Sequence, residues 1–193
     1  MPPPVPSSPT FSFVMTMVSV VLSLGLTHLV SGNVQLFQPK RKVRFSFVHA
    51  AWTIIVYLMI LDMWLSLWSL RTETDWRLTD LILILLGVLI LYVISVLLTP
   101  PRDEDIDLSA FHLENRRRYL GVGIAYELWG AWVNIAVLPE NFDIASLMST
   151  VPMIACMLAA MVFTQPWVQR LAAAGALVNV AIYYVMFFSD ISA

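Results

Sequence analysis

Six apolar stretches, most of them about 20 residues long, constrain the fold of this chain more than any other feature. A helix of about 20 apolar residues crosses a hydrocarbon core of about 30 Å. Because lipid offers no water to the backbone, each isolated apolar segment has to be helical. The sequence therefore predicts an all-α integral membrane protein, an antiparallel bundle of six transmembrane helices. The predicted spans are residues 11–30, 47–70, 78–98, 119–138, 144–163 and 168–188.

The composition also favours a membrane protein over a soluble one. The chain is 59% hydrophobic and 12% charged, whereas soluble domains are about 45–50% apolar and about 25% charged. The net charge of −2 argues against nucleic acid as a partner. The single cysteine, Cys156, cannot form an internal disulfide. Residues 1–10 are rich in proline and are predicted to form an extended tail, and residues 11–193 a single transmembrane domain.

The distribution of basic residues predicts the orientation of the bundle. Cytoplasmic loops carry an excess of lysine and arginine. Nine of the eleven basic residues fall in the first, third and fifth loops. These loops are therefore predicted to be cytoplasmic, and both termini to face outward. The residues that dominate the two longer basic loops are Lys40, Arg41, Lys42, Arg44, Arg116, Arg117 and Arg118.

Two carboxylates lie inside predicted spans, Asp62 in the second and Glu127 in the fourth. A charged acid at the bilayer centre costs at least about 2.5–3.5 kcal/mol, and no lysine or arginine lies at that depth. Each acid is therefore expected to be a proton or cation site, or a neutral acid that hydrogen-bonds between helices. The candidate partners within the spans are Asn134, Asn179, Tyr57 and Tyr126.

All three histidines lie near the predicted cytoplasmic edge. His28 ends the first span, His49 begins the second, and His112 precedes the fourth. His28 and His49 are expected on antiparallel neighbours at similar depth, an arrangement that can ligate a haem or, with an acid, a metal. Hydrogen bonding at the interface is the alternative, since the histidines lack the spacing of a helical metal site.

Small residues at four-residue spacing predict where helices pack closely. Lipid tails are as apolar as leucine, so membrane helices associate through close packing rather than through the hydrophobic effect. The small residues are expected to form interior seams of the bundle or contacts between copies of the chain. The stripe in span one is Thr16, Ser19, Ser23, Thr27 and Ser31. The pairs in spans four, five and six are Gly121 and Ala125, Ala155 and Ala159, and Ala172 and Ala176.

Three segments, residues 26–32, 42–52 and 64–68, resemble a family of small polytopic proteins of the bacterial inner membrane to which no function is assigned. The resemblance covers roughly residues 20–120, and it rests on His49, Trp52 and the pair Trp64 and Trp68. It implies a bacterial inner membrane as the location and adds no mechanism.

Enzyme signatures do not occur: there is no Gly-x-Ser-x-Gly, no phosphate-binding glycine-rich loop and no His-Glu-x-x-His. The sequence therefore favours a non-enzymatic membrane component, an accessory or scaffolding subunit that packs against other subunits or against copies of itself. The first alternative is a small transporter or a proton or cation channel that uses Asp62 and Glu127. The second is a haem- or ligand-binding sensor that uses His28 and His49.

Overall fold

The computed structural model describes residues 8–38, 42–72, 75–101, 105–136 and 144–188. Within these ranges the chain forms six α-helices, one 3-10 helix that follows α2, and two strands of two residues each. The helices are α1 Pro9–Gln35, α2 Phe47–Ser66, α3 Leu78–Leu98, α4 Leu108–Ala136, α5 Ile144–Val162 and α6 Pro166–Phe188. The 3-10 helix is Leu67–Thr72, and the strands are β1 Val43–Arg44 and β2 Ile106–Asp107.

Four of the helices, α1, α2, α3 and α6, are long and apolar enough to cross a membrane. The apolar part of α5 with described side chains, Met148–Val162, is shorter. The 29 residues of α4 include an arginine-rich first third, and Glu127 and Asn134 lower the hydropathy of the rest. The structure is therefore an all-helical membrane protein with four candidate spans, and the fourth and fifth predicted spans stay predictions.

The helix ends follow local rules. α1 begins at Pro9, because the Ser8 hydroxyl caps it by accepting a hydrogen bond from the Phe11 N–H at 3.1 Å. The predicted tail is thus shorter than expected, and residues 1–7 lie outside the described residues. α3 ends at Leu98, since Pro100 disfavours helical geometry at the residue before it.

A short parallel pairing, which the sequence did not predict, joins the first and third loops. Val43 pairs with Ile106, and Arg44 with Asp107. The Lys42 N–H also donates to Asp105 Oδ1 at 2.9 Å. α2 and α4 begin soon after these strands, so both helices run in the same direction from one end of the bundle. Lys40 and Arg41 lie outside the described residues.

α2 is the central helix of the bundle. It contacts α1, α3, α4 and α6, and the other helices follow one another around it through the pairs α1–α3, α3–α4, α4–α5 and α5–α6. The first helix therefore packs chiefly on the third, not on its sequence neighbour. This arrangement brings α2, α4 and α6 together, and these three helices carry the polar residues considered below.

The stripe of hydroxyl residues on α1 is not an interior seam of the bundle, and contacts between copies of the chain stay a prediction. Thr16, Ser23 and Thr27 are exposed, and the Ser23 hydroxyl donates to the Ser19 carbonyl at 2.6 Å. Because this bond satisfies the hydroxyl within the helix, the side chain gains nothing from burial. α1 instead buries the face that contains Phe11, Val14, Val18, Leu22, Gly25, Leu29 and Gly32.

Close approach of helices depends on other small residues than most of those predicted. A Cβ at Gly32 would collide with the Thr99 side chain, so glycine is needed where α1 meets the end of α3. On α6, Ala172 and Ala176 are buried, as predicted. Ala125 on α4 and Ala155 on α5 are exposed, and the α4–α5 contact uses Gly123 against Met157 instead.

Candidate functional site

Two polar clusters lie on α2, α4 and α6, which run in parallel. The residues two to four positions after the helix starts are His49, His112 and Gln169. The residues 15 to 19 positions after the same starts are Asp62, Glu127 and Tyr183. At about 1.5 Å per residue the second group lies roughly 20 Å further along the helices. We call the first group, with Arg116 and Tyr119, the histidine cluster, and the second, with Tyr126 and Tyr184, the carboxylate cluster.

The carboxylate cluster brings together the two acids predicted inside the membrane. Asp62 on α2 and Glu127 on α4 lie within electrostatic range of each other. Asp62 is hydrogen-bonded by the hydroxyls of Tyr183 and Ser66. Its second oxygen, Oδ1, is buried and accepts no hydrogen bond from any residue that the structure describes. The Asp62 carboxylate thus accepts hydrogen bonds but keeps one oxygen without a described partner, and Glu127 lies nearby.

Tyrosines form the rest of the carboxylate cluster. Tyr126, Tyr183 and Tyr184 all lie within electrostatic range of Asp62. Tyr184 donates its hydroxyl to the Leu58 carbonyl at 2.7 Å, which joins α6 to α2. No lysine or arginine in the described part of the chain is among the groups that act on either acid. The pair therefore has no counter-charge among the described residues.

The predicted amide partners of the acids lie elsewhere. Asn179 donates to the Ser149 carbonyl at 2.9 Å, in the turn of α5 where Pro152 weakens the helix ladder. Asn134 lies two turns beyond Glu127, and no hydrogen bond joins it to the acids among the described residues. Tyr183 and Tyr184 were not predicted as partners of the acids. Both lie about as many residues after the start of α6 as Asp62 lies after the start of α2, so counting from the helix starts places them at a similar depth.

The histidine cluster contains a network that joins three helices. The Gln169 amide group donates to the carbonyls of Ala160, at 2.7 Å, and Phe163, so its Oε1 faces His112 Nε2 at 2.7 Å. His112 Nε2 must then carry the proton, and Nδ1 accepts from the Tyr119 hydroxyl. The buried Gln169, which no sequence motif marked, connects α4, α5 and α6.

Among the histidines, those of α2 and α4 interact with each other. The electrostatic neighbour of His49 is His112, not His28, so the ligand pair His28 and His49 gains no support and the haem site stays a prediction. Both ring nitrogens of His112 are already hydrogen-bonded. Among the described residues, no group of three or more His, Cys, Asp or Glu side chains is placed to hold a metal ion.

His112 lies in the first part of α4, before the predicted span, and it is neutral at neutral pH. Burial is the main cause of a pKa below the usual range of histidine, and the Arg116 charge adds to it against the opposing effect of the Gln169 hydrogen bond. Arg116 itself corrects a prediction. It was expected, with Arg117 and Arg118, among the solvated basic residues that precede the fourth span, but it is buried at 9% exposure, while its two neighbours are exposed.

Fold and site together define a helical membrane protein with a carboxylate cluster and a histidine cluster on the same three helices. Comparison of the chain with protein-family models, with curated proteins and with solved structures finds no match.

Proposed function

We propose that this protein is a small transporter or channel that takes up a proton or a small monovalent cation at Asp62 and Glu127. The observation that carries the proposal is the buried Asp62 Oδ1 beside a second acid: within the described ranges this oxygen has no hydrogen-bond partner, and no cationic side chain acts on either acid. Two carboxylates this close resist simultaneous ionisation. A proton or cation taken up from outside the chain removes that repulsion.

The cluster has the components of an exchangeable site. The hydroxyls of Tyr183 and Ser66 hold the Asp62 carboxylate in place, so the ion or proton meets a preformed group. Because three helices supply the residues, a small movement of α6 against α2 changes the number of oxygens around the ion. Intramembrane acids in such positions are a common basis of proton and ion pathways.

The membrane arrangement is part of the same proposal: six spans in a bacterial inner membrane, with both termini outside. Its support is the excess of basic residues in the odd-numbered loops. The β1–β2 pairing holds the first and third loops at one end. The bond from His112 to Gln169 holds the start of α6 at that same end. The resemblance to bacterial inner-membrane proteins favours the same location.

Flux measurements on purified protein in vesicles test the proposal. With a pH-sensitive dye inside the vesicles and a potassium diffusion potential across the membrane, the wild-type protein should carry protons inward. A sodium gradient in place of the potential tests whether the protein exchanges a cation for protons, which the dye would report as a change of internal pH. Asp62→Asn and Glu127→Gln should abolish flux, whereas Glu114→Gln, an exposed acid on α4, should not change it. An inactive wild-type protein, or flux that persists in both cluster variants, would contradict the proposal.

A chemical measurement is independent of flux. A carbodiimide that partitions into membranes reacts with protonated carboxyls in apolar surroundings. We expect it to label Glu127 or Asp62 in the wild-type protein, at a rate that falls as pH rises. Added cation should slow the labelling if a cation occupies the site. Labelling confined to acids outside the spans would count against a protonated pair.

An accessory or scaffolding subunit is the second candidate. The observation that favours it is the outer face of α1, where the exposed Thr16, Ser23 and Thr27 alternate with exposed apolar side chains. Small residues on a lipid-facing surface permit close contact with a partner helix. The test is the composition of the complex released by mild solubilisation. Recovery with a fixed partner or as a homo-oligomer supports this candidate, and recovery as a lone monomer contradicts it.

A further inference from the structure

Arg116 is a buried cation, and no residue that the structure describes pairs with it as a counter-ion. Its Nη1 donates to the Leu113 carbonyl of its own helix, and its Nε–H is buried with no partner among the described residues. The ion pair present in the described part of the chain joins Arg44 to Asp107 instead. A buried charge is stable only where an opposite charge or a full set of hydrogen bonds compensates its lost hydration. Nothing described in this chain provides that for Arg116.

Two further buried groups near the same end of the bundle have unsatisfied nitrogens. His49 is 2% exposed, and neither of its ring nitrogens has a partner in the described part of the chain. Trp52, one helical turn later, is 1% exposed, and its Nε1–H is also without a partner. In its neutral form His49 offers one N–H and Trp52 offers another. Both belong to α2, which packs against α4.

Among the described residues, no carboxylate is one of the groups that act on His49 or His112. His112 acts on His49, and Arg116 acts on His112. These interactions connect the starts of α2 and α4, and the buried charge of this region is that of Arg116. The exposed Arg117 and Arg118 add charge at the same end of α4. Such a region suits a ligand that is anionic and only accepts hydrogen bonds.

We infer that Arg116, with His49 and Trp52, binds a phosphate group, either that of an anionic lipid headgroup or free phosphate. Phosphate accepts several hydrogen bonds at once, and the guanidinium group of arginine matches its geometry and charge. Basic pockets between membrane helices at the cytoplasmic face are typical sites for anionic headgroups. The site uses no residue of the carboxylate cluster, so its test does not depend on the proposed function.

Thermal unfolding of the purified full-length protein in an uncharged, phosphate-free detergent tests the site. We add inorganic phosphate, phosphatidylglycerol, or a neutral glycolipid with the same acyl chains. Phosphatidylglycerol should raise the Tm of the wild-type protein, and the glycolipid should not. A rise with inorganic phosphate as well shows that the free ion is sufficient, and a rise with the lipid alone shows that the headgroup is the source.

Variants connect the response to Arg116. Arg116→Gln should raise the half-saturating concentration of the anion roughly tenfold or more, because a charge-assisted hydrogen bond is lost. Arg117→Gln, a change of the adjacent exposed arginine, should respond like the wild type. Without anion, Arg116→Gln should be at least as stable as the wild type, since an unpaired buried charge is gone. With anion the order should reverse.

Two results would overturn the inference. One is a wild-type Tm that responds to neither phosphate source, and the other is an unchanged response in Arg116→Gln. If Arg116→Gln is not recovered folded, His49→Leu provides the same test, because it removes the ring nitrogens of His49 and leaves the charge of Arg116 in place. An undiminished anion response in that variant would equally exclude the site as described.

Discussion

Replacing Gln169 with leucine should destabilise the bundle more than any neighbouring polar substitution. The short connection to α6 leaves the last carbonyls of α5 without helical partners. The Gln169 amide group donates to two carbonyls there, Ala160 and Phe163, while its oxygen accepts from His112. Leucine is of similar size and removes all three hydrogen bonds. The packing therefore changes little, while three polar groups, two of them in buried bonds, lose their partner.

The expected magnitude follows from these three bonds. Interhelical hydrogen bonds in membrane proteins average about 0.6 kcal/mol and reach about 1.7 kcal/mol. Gln169→Leu should therefore lower the free energy of unfolding by about 2–5 kcal/mol. Gln165→Leu is the matched control, because Gln165 belongs to the same turn and is exposed. It should change stability by no more than about 0.5 kcal/mol.

Reversible unfolding in mixed micelles, followed by circular dichroism, measures both variants. A double-mutant cycle with His112→Phe isolates the bond between His112 and Gln169, and its coupling energy should be about 0.6–1.7 kcal/mol. The reasoning is refuted if Gln169→Leu costs no more than Gln165→Leu, or if the cycle shows no coupling.

Two further predictions concern α3 and α4. Gly87→Ala should lower the free energy of unfolding by about 1–3 kcal/mol, because the new Cβ would collide with the Trp129 ring. Gly121→Ala should be neutral or stabilising, since its Cβ meets no atom within 4 Å, and equal effects of the two changes in thermal unfolding would contradict this. Because the folded-state pKa of His112 is lowered, the unfolded chain binds more protons below about pH 6.5. Tm should thus fall on acidification, and less steeply in His112→Gln; parallel pH profiles would exclude His112 as the cause.

The helices themselves could be predicted closely from the sequence. α3, Leu78–Leu98, coincides with the predicted span, and α2 begins at the predicted residue. Apolar run length, proline and capping residues act over a few positions, so they can be recognised without knowing the fold.

The candidate sites were predicted only in part. Asp62 and Glu127 were identified because an acid in an apolar run is costly wherever it lies. Their tyrosine partners on α6 were missed, and so was Gln169, because a polar residue near a helix start usually meets water. The buried state of Arg116 was also missed, since sequence alone does not show which side of a helix its neighbours cover.

The sequence by itself determined that this chain is a helical membrane protein, approximately where its helices begin and end, and which acids need compensation. Those properties depend on transfer from water to lipid, which is local to each segment. Only the tertiary structure decided that α1 packs on α3, that α2 is central, and that α2, α4 and α6 carry two polar clusters. Those choices depend on shape complementarity between helices far apart in the chain, which apolar composition does not encode.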